Sequence, residues 1–402
     1  MRRLTSAAGA YPLRALALRT DIDLPLLERT LELARHGSGR VHPNPVVGAV
    51  LARDGKVLGE GWHEQLGGHH AEVEAIAAAR GADLRDATLY VSLEPCCHHG
   101  RTPPCTEAIL AAGIGRVVVA SDDPSEKASG RGLGILRDEG VQIDVADGEL
   151  ARSARLLNQP FRKHARTGRP WVLFKSAMTL DGKVASRSGD SKWISDRSSR
   201  ERAHHWRAGM DAVVVGVGTA LADDPQLTAR LAEEACEQDA GGEQARLFPR
   251  QPRRVVFDSL ARLPLNSQLV TAAPDPPLTV VVSRAAPRQA VAALEMASAD
   301  VLVASGENEP ARVRCALDDL GAAGLTSLLL EGGPHLAGAF LDVGAIDEVR
   351  IFLAPLLLGG RGARVPLEGE GVERVSEALR ALILECETVA GDLLISARLA
   401  EW

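Results

Sequence analysis

Apolar residues recur at helical spacing in some segments of the chain and form short continuous runs in others. Leucines repeat at helical spacing after Asp23, a suitable N-cap, and predict a helix over residues 23–37. Two apolar runs flank the turn dipeptide Asp54-Gly55 and predict a β-hairpin. Further helices are predicted over 70–80, 106–112 and 133–139, and further strands over 88–93 and 116–121. This alternation predicts an α/β sandwich.

A second alternation of strands and helices follows a polar segment, residues 164–170, which contains Gly168 and Pro170 and predicts a linker. Apolar runs of buried-strand type then occur over 171–176, 212–216, 254–258, 278–283, 327–331 and 348–353. No internal repeat relates the halves, so we expect two different domains, over 22–163 and 171–402. Residues 233–250 are acidic and aperiodic, which predicts an exposed insertion.

Composition excludes several protein classes. The 402 residues suit two domains, and 45% hydrophobic with 25% charged residues is globular composition. A net charge of −7 disfavours a general nucleic-acid binder, and no apolar run approaches the ~20 residues of a membrane span. The six cysteines do not form a disulfide pattern and favour a reduced, cytoplasmic location. Residues 1–21 hold four arginines, so a disordered leader is expected, with a targeting segment as the alternative.

The strongest chemical signal is His70-Ala71-Glu72, followed by Pro95-Cys96 and by Cys105. One imidazole and two thiolates form a three-ligand zinc set and leave the fourth position to water, whose pKa zinc lowers to roughly 7. Glu72 then remains available to shuttle protons. Because residues two apart on a helix diverge by about 200°, His70 and Glu72 serve one site only at the helix N-terminus. This pattern is typical of zinc nucleobase deaminases.

Some features of the motif leave alternatives open. The eight residues between Cys96 and Cys105 depart from the two-residue spacing of those deaminases. A structural zinc site would leave Glu72 idle, and it would take its fourth ligand from one of four neighbours: Cys97, His98, His99 or His69. Spacing alone leaves His63 and Asn44 open between a binding role and ordinary loop chemistry.

Longer stretches of the first half resemble the bifunctional riboflavin-biosynthesis deaminase–reductases. They are PNPVVGAV at 43–50, HAEV at 70–73 and LEPCCHHGRTPPC at 93–105. The resemblance implies a cytidine-deaminase-like domain that hydrolyses the exocyclic amine of a diamino(ribosylamino)pyrimidinone phosphate. It implies one zinc ion on His70, Cys96 and Cys105, with Glu72 as proton shuttle. It also places four residues in the pyrimidine and phosphate pocket: Asn44, His63, His98 and Arg101.

The second half lacks the Gly-x-Gly-x-x-Gly motif of common dinucleotide-binding domains. Its two glycine-rich strand ends, at 216–219 and 331–334, are places where ligands bind in α/β domains, and they suit tight turns equally well. The resemblance covers this half nearly end to end, from KSAMTLDGK at 175–183 to EGGP at 331–334. It implies a dihydrofolate-reductase-like α/β domain that uses NADPH to reduce the ribosylamino group of the deaminated pyrimidine to a ribitylamino group.

The resemblance also assigns residues in this half. Those that match the family's NADPH contacts are Ala177, Trp193, Thr219, Asp223, Ser259, Gly333, Pro334, His335, Leu336, Ala337, Gly338 and Ala339. Those that match its substrate contacts are Ser191, Arg207, Leu227, Arg230 and Glu331. Guanidinium groups pair well with phosphate, so Arg207 and Arg230 are the expected anchors of the sugar phosphate.

The expected function is therefore zinc-dependent hydrolytic deamination followed by NADPH-dependent reduction of the sugar. The expected partners are small phosphorylated pyrimidines, without nucleic acid or membrane, and a homo-oligomer is left open. One alternative is a zinc nucleobase or tRNA deaminase with a non-catalytic appended domain, which the acidic charge disfavours. A catalytically inactive zinc scaffold is a further alternative, but neither Glu72 nor any ligand is lost.

Overall fold

The computed structural model describes residues 21–100, 102–230 and 251–402. Its contacts divide these into two compact units, one of residues 21–37 with Pro45–Asn158 and one of Ser38–Asn44 with Gln159–Trp402. This division differs from the predicted boundary after residue 163, because residues 159–167 form a helix of the second unit. The predicted leader, apart from residue 21, and the predicted insertion at 233–250 lie outside the described residues.

The first unit is built on one five-stranded sheet. Its strands are β1 (Gly48–Arg53), β2 (Lys56–Trp62), β3 (Thr88–Val91), β4 (Arg116–Val119) and β5 (Gln142–Val145). Its helices are α1 (Asp23–Arg35), α2 (Ala71–Ala78), α3 (Cys105–Ala111), α4 (Arg131–Asp138) and α5 (Gly148–Leu157). The sheet order is β2-β1-β3-β4-β5, with β1 antiparallel to both neighbours and the other pairs parallel.

Helices cover both faces of this sheet, which confirms the predicted α/β sandwich. Along β3 the side chains alternate: Leu89 and Val91 pack into one apolar cluster and Tyr90 packs into the other. The structure corrects one detail at the start of α1. Asp23, predicted as an N-cap, is a buried helical residue, and its carboxylate accepts hydrogen bonds at 2.8 Å from the Tyr90 hydroxyl and from the Arg116 guanidinium.

Glycines allow the β1–β2 hairpin to pack directly against helices. A Cβ atom added to Gly61 would lie 2.4 Å from the backbone nitrogen of Ala75 in α2, and one on Gly59 would lie 2.3 Å from the Ala75 carbonyl oxygen. A Cβ on Gly48 would lie 2.1 Å from the carbonyl oxygen of Thr30 in α1. The backbone of β2 therefore sets the position of α2, which begins directly after His70.

The second unit is built on one nine-stranded sheet. Its strands are β6 (Trp171–Thr179), β7 (Ala212–Gly216), β8 (Arg253–Phe257), β9 (Leu278–Val282), β10 (Asp300–Val303), β11 (Ser327–Glu331), β12 (Glu348–Ala354), β13 (Ile383–Val389) and β14 (Asp392–Arg398). Its helices are α6 (Gln159–Thr167), α7 (Arg197–Ala208), α8 (Val217–Asp223), α9 (Gln268–Thr271), α10 (Arg288–Met296), α11 (Glu309–Ala322) and α12 (Pro334–Asp342), with a 3₁₀ turn at Val375–Glu377.

The order of this sheet is β10-β9-β8-β7-β11-β6-β12-β14-β13, parallel from β10 to β12 and antiparallel beyond. All six strands predicted from apolar runs are present. Helices cover both faces, where Val172 and Phe174 pack into one cluster and Trp171 and Leu173 into another. The carboxyl ends of the parallel strands share one edge, which is the ligand-binding edge of such sheets.

The segment Ser38–Asn44 belongs to the second unit although it lies within the first half of the sequence. The Nδ1 atom of His42 lies 3.6 Å from a carboxylate oxygen of Asp211 and 3.4 Å from the hydroxyl of Thr326. Asp211 in turn accepts hydrogen bonds from the Thr326 and Ser327 backbone nitrogens at 2.7 and 3.1 Å. A search of the described helices finds none that is both long and apolar enough to cross a membrane.

Candidate active sites

Three side chains of the first unit meet at the N-termini of α2 and α3. His70 is the N-cap of α2, Cys105 is the first residue of α3, and Cys96 lies in the loop after β3. The His70 Nδ1 atom lies 3.2 Å from the Cys105 sulfur and 3.4 Å from the Cys96 sulfur. Tetrahedral zinc with ordinary bond lengths holds its ligand atoms roughly 3.5–3.8 Å apart, so these donors fit a zinc ion. Within the described ranges they form the one three-residue cluster suited to a metal.

Glu72 lies beside this cluster without belonging to it. Its position two residues into α2 confirms that His70 and Glu72 approach one site from the helix N-terminus. The side chain is only 3% exposed, and burial raises the pKa of Glu72, as does the neighbouring Cys96 thiolate. A hydrogen bond with Cys105 lowers the pKa of Cys96 to about 4, which favours the thiolate that zinc requires. A buried carboxyl with a raised pKa is suited to proton transfer.

Two of the residues predicted to bind the deaminase substrate are His63 and His98, and the structure describes the surroundings of both. The buried His63 ring packs edge-on at 5.3 Å against His70, and its Nδ1 atom donates a hydrogen bond to the His69 carbonyl oxygen at 2.9 Å. His98 has a buried Nδ1 atom with no partner among the described residues, as expected of a group that awaits a ligand. Cys97 contacts the Lys127 carbonyl oxygen at 3.5 Å instead of the cluster.

Asn44 and Arg101 are the other two residues predicted to line the deaminase pocket. Asn44 is half-buried and belongs to the segment Ser38–Asn44 of the second unit. Arg101 lies outside the described residues. The roles of Asn44 and Arg101 in the deaminase pocket stay predictions, as do those of His63 and His98.

Glu94 is a supporting residue that the sequence analysis did not single out. Its buried carboxylate accepts hydrogen bonds from the backbone nitrogens of Gly130, at 2.8 Å, and Asp123, at 3.4 Å. A Cβ atom on Gly132 would lie 2.3 Å from the Pro95 carbonyl oxygen. The loop before α4 is therefore held against the segment that carries Cys96. The sequence signal that could have identified Glu94 is its position two residues before the predicted zinc ligand Cys96.

The second unit has its own cluster of charges, at the carboxyl end of β11 and the middle of β6. Arg207 of α7 forms a fork with the Glu331 carboxylate, at 2.9 and 2.5 Å, and donates a third hydrogen bond to the Thr228 carbonyl oxygen at 3.1 Å. Burial alone would raise the pKa of Glu331, but Arg207 and Lys175 hold it at about 2. Burial also lowers the pKa of Lys175, although Glu331 opposes this shift.

This cluster joins two residues predicted to bind substrate, Arg207 and Glu331, and a third lies close by. The exposed Arg230 contacts His204, with 3.1 Å between the Arg230 backbone nitrogen and the His204 Nδ1 atom. Burial and the Arg207 charge lower the pKa of Arg230, so an anion bound beside it would relieve repulsion between the two guanidinium groups. Burial, Arg207 and Arg230 lower the pKa of His204, a residue that the sequence analysis missed, to about 4.

The other two predicted substrate residues differ in exposure. Leu227 is buried, with a left-handed φ of 56°, and packs into the apolar core. Ser191 is exposed. Their contacts with substrate stay predictions.

A cavity of about 610 Å³ lies along the carboxyl ends of β7, β8, β9 and β11. Six residues predicted to bind NADPH line it: Thr219, Ser259, Gly333, Pro334, His335 and Leu336. The glycines keep the backbone accessible, because a Cβ on Gly333 would lie 3.4 Å from the Thr219 hydroxyl. Gly333 precedes the nine-residue helix α12, and backbone amides at such a helix start bind phosphate groups. The cavity therefore fits a dinucleotide.

Six other residues predicted to bind NADPH do not line this cavity. Ala337 and Ala339 pack into the core, and a Cβ on Gly338 would lie 1.7 Å from the Glu368 carbonyl oxygen. Helix α12 thus directs these three residues away from the cavity, and their contacts with NADPH stay predictions. Ala177 packs with Phe352. The remaining two are exposed at the surface, Trp193 with the Arg200 guanidinium over its ring and Asp223 at the end of α8.

Comparison with known proteins finds relatives along nearly the whole chain. The model of the cytidine and deoxycytidylate deaminase zinc-binding region matches residues 21–121, and that of the RibD C-terminal domain matches residues 170–395. The riboflavin biosynthesis protein RibD of Actinobacillus pleuropneumoniae is 38% identical over 385 residues, which cover 96% of this chain and 97% of that protein. This chain belongs to the RibD family.

Solved RibD structures agree with this assignment. Acinetobacter baumannii RibD matches with a TM-score of 0.82 and 34% identity over 95% of this chain and 100% of its own. A deaminase/reductase of Thermotoga maritima matches with a TM-score of 0.77 and 34% identity over 94% of this chain and 99% of its own. The chain is a bifunctional enzyme of riboflavin biosynthesis, with a zinc-dependent deaminase domain and an NADPH-dependent reductase domain. The fold and function predicted from the resemblance are confirmed, and the appended-domain alternative is not favoured.

Proposed function

We propose that the two units of this RibD-family chain catalyse consecutive steps on one phosphorylated pyrimidine. The first step hydrolyses the exocyclic amine of 2,5-diamino-6-(ribosylamino)pyrimidinone 5′-phosphate. The second step reduces the ribosyl group of the product, 5-amino-6-(5-phosphoribosylamino)uracil, to ribityl. The observation that carries the proposal is that each half holds a separate chemical cluster, His70, Cys96 and Cys105 in one and Lys175, Arg207 and Glu331 in the other.

In the deaminase unit, His70, Cys96 and Cys105 would hold zinc, and Glu72 would move protons. Zinc, when bound, acts as a Lewis acid that activates water. Glu72 takes a proton from the attacking water and passes it to the exocyclic nitrogen, so that ammonia leaves. Its burial supports this role, because a carboxyl away from water exchanges its proton with the substrate and not with solvent. The unpartnered His98 Nδ1 atom is available to the pyrimidine or its phosphate.

In the reductase unit, the charges around Glu331 would bind and protonate the sugar. NADPH, when bound, supplies the hydride that adds to C1 of the ribosyl group. The bond between C1 and the ring oxygen breaks, and this oxygen takes up a proton, for which Lys175 is the proposed donor because burial lowers its pKa. Arg230 is the proposed anchor of the sugar phosphate, since Arg207 is already bound to Glu331 and Thr228.

The proposed ligands are small molecules, namely the phosphorylated pyrimidines and NADPH. The net charge of −7 and the absence of any nucleic-acid-binding pattern favour no nucleic-acid partner, and the lack of a disulfide framework supports a cytoplasmic location. A membrane partner and a homo-oligomer receive no support from the features described above.

Mass spectrometry of the full chain with zinc, the diamino pyrimidine phosphate and NADPH tests this function. Deamination and reduction change the substrate mass by different amounts, so each unit is measured separately. A product with both changes is expected. Unchanged substrate with zinc bound would reject the substrate assignment, and deamination of a tRNA substrate instead would favour the alternative of a nucleic-acid deaminase.

A further inference from the structure

The dinucleotide cavity of the second unit has a polar glycine end and an apolar end. Gly216–Thr219 and Gly333 form the first, at the ends of β7 and β11. Val281, Val282 and Val313 form the second, at the end of β9 and in α11. A dinucleotide with its diphosphate at the glycine end therefore has its adenine at the apolar end. The ribose between them lies across the carboxyl end of β8.

The segment after β8 is rigidly held. Asp258 is fully buried, its backbone nitrogen donates to the Val281 carbonyl oxygen at 2.8 Å, and one carboxylate oxygen accepts from the Leu263 backbone nitrogen at 2.8 Å. The other carboxylate oxygen lies 3.2 Å from the Nε atom of Arg262. This contact holds the Nε atom of the Arg262 guanidinium group in place. The two terminal nitrogens have no partner among the described residues, and the side chain is 53% exposed at the cavity.

The other charged residues that line the cavity differ in their positions and partners. Arg312, in the first turn of α11, also has side-chain nitrogens without a partner in the described part of the chain. Glu368 belongs to the glycine end, because its backbone nitrogen donates to the Pro334 carbonyl oxygen at 3.0 Å. Glu309 lies 3.2 Å from the Nδ1 atom of His335. At the end of β8 the one acid, Asp258, is fully buried and already accepts hydrogen bonds, whereas the exposed Arg262 lines the cavity.

We propose that Arg262, assisted by Arg312, binds the 2′-phosphate of NADPH and gives the reductase its preference over NADH. An arginine next to the adenosine ribose accepts a 2′-phosphate, whereas an acidic residue there selects the 2′-hydroxyl of NADH. The terminal nitrogens of Arg262 offer the paired donors that a phosphate binds. This inference rests on the proposed placement of the cofactor in the cavity.

Binding of two nucleotide fragments to the full-length, zinc-loaded protein tests the proposal without turnover. Calorimetric titration with adenosine 2′,5′-bisphosphate and with 5′-AMP measures the preference for a 2′-phosphate. Arg262→Gln is expected to reduce this preference roughly 10- to 100-fold, the loss of one or two charge-assisted hydrogen bonds. Arg312→Gln is expected to reduce it less. Arg262→Lys keeps the positive charge but loses the paired donors of the guanidinium group. Its preference for a 2′-phosphate should lie between those of Arg262→Gln and the unmodified protein.

Arg288→Gln is the matched control, an exposed arginine at the start of α10 that is not among the cavity-lining residues. It is expected to leave the ratio of the two affinities unchanged. An unchanged ratio in both Arg262→Gln and Arg312→Gln, with binding of both fragments weakened, would reject the 2′-phosphate role and keep the cofactor in the cavity. Unchanged binding of both fragments in all three glutamine variants would reject the cofactor placement as well. Fluorescence titration with NADPH and NADH repeats the comparison on the whole cofactors.

Discussion

Lys175 and Glu331 lie side by side in the register of the parallel strands β6 and β11, at the carboxyl end of β11. Arg207 binds the same Glu331 carboxylate from α7. One buried carboxylate therefore balances two cations. Neutralising it would leave two positive charges close together in a region that water enters poorly.

Glu331→Gln is expected to lower the unfolding free energy by about 3 kcal/mol, because the partly buried Lys175 and Arg207 lose their counter-charge. Without this counter-charge Lys175 and Arg207 are expected to shift, which should lower reductase turnover by roughly 100-fold. Chemical denaturation measures the first effect, and reduction of supplied deaminated intermediate measures the second. Glu295→Gln, at an exposed position of α10, is the control and should change neither. A denaturation midpoint equal to that of the unmodified protein would contradict this account of Glu331.

The pH dependence of stability follows from the same carboxylate. The folded pKa of Glu331 is about 2, below its ordinary value of 4.5, despite the burial that opposes this shift. Its contribution to stability is therefore complete above pH 4.5 and is lost as the pH falls toward 2. The difference in unfolding free energy between the unmodified protein and Glu331→Gln should shrink from pH 6 to pH 3. A difference that stays constant or grows over this range would show that the charge on Glu331 is not the stabilising factor.

Glu72→Gln is expected to retain zinc while deamination falls by roughly 10²- to 10⁴-fold, the usual contribution of a proton-transfer group. Reduction of supplied intermediate should not change, because the reductase cluster lies in the other unit. Metal analysis and separate assays of the two steps measure these effects. Glu74→Gln, two residues further along α2, is the matched control. Loss of both activities together would argue against two separate sites.

Gly61→Ala is expected to weaken zinc binding and deamination together. The added methyl group would lie 2.4 Å from the Ala75 backbone nitrogen, so α2 must move away from β2 and carry His70 with it. Competition with a chelator measures the zinc affinity. Gly134→Ala is the control, since its Cβ meets no atom within 4 Å, and it should stabilise α4 by up to about 1 kcal/mol. Equal zinc affinities for the two variants would refute this role of the Gly61 contact.

The sequence predicted those parts of the fold whose signal is local. The six apolar runs of the second half became six strands of the sheet, because a strand covered on both faces carries mostly apolar residues. Strands β10, β13 and β14 were missed, as was β5 in the first half. No residue of β10 is buried, and β13 is mostly exposed and carries Glu385, Cys386 and Glu387 in its middle, which gives no continuous apolar run.

The sites show the same division between local and distant information. His70, Glu72 and Cys96 were predictable because zinc ligation imposes residue types at short spacings. The charge balance at Glu331 was not, since it joins residues from β6, α7 and β11 that are far apart in sequence. The burial of Asp23 was missed for the same reason, because its partners Tyr90 and Arg116 lie 67 and 93 residues away.

The second unit is assembled from two stretches of the chain, and this bears on how such proteins can recombine. A chimera that joins residues up to Asn158 of one relative to the remainder of another takes Ser38–Asn44 from one parent and its surroundings from the other. His42 and Asp211 would then come from different parents. Parents that differ at these two positions are poor donors for such an exchange, and we expect the pair to be inherited together.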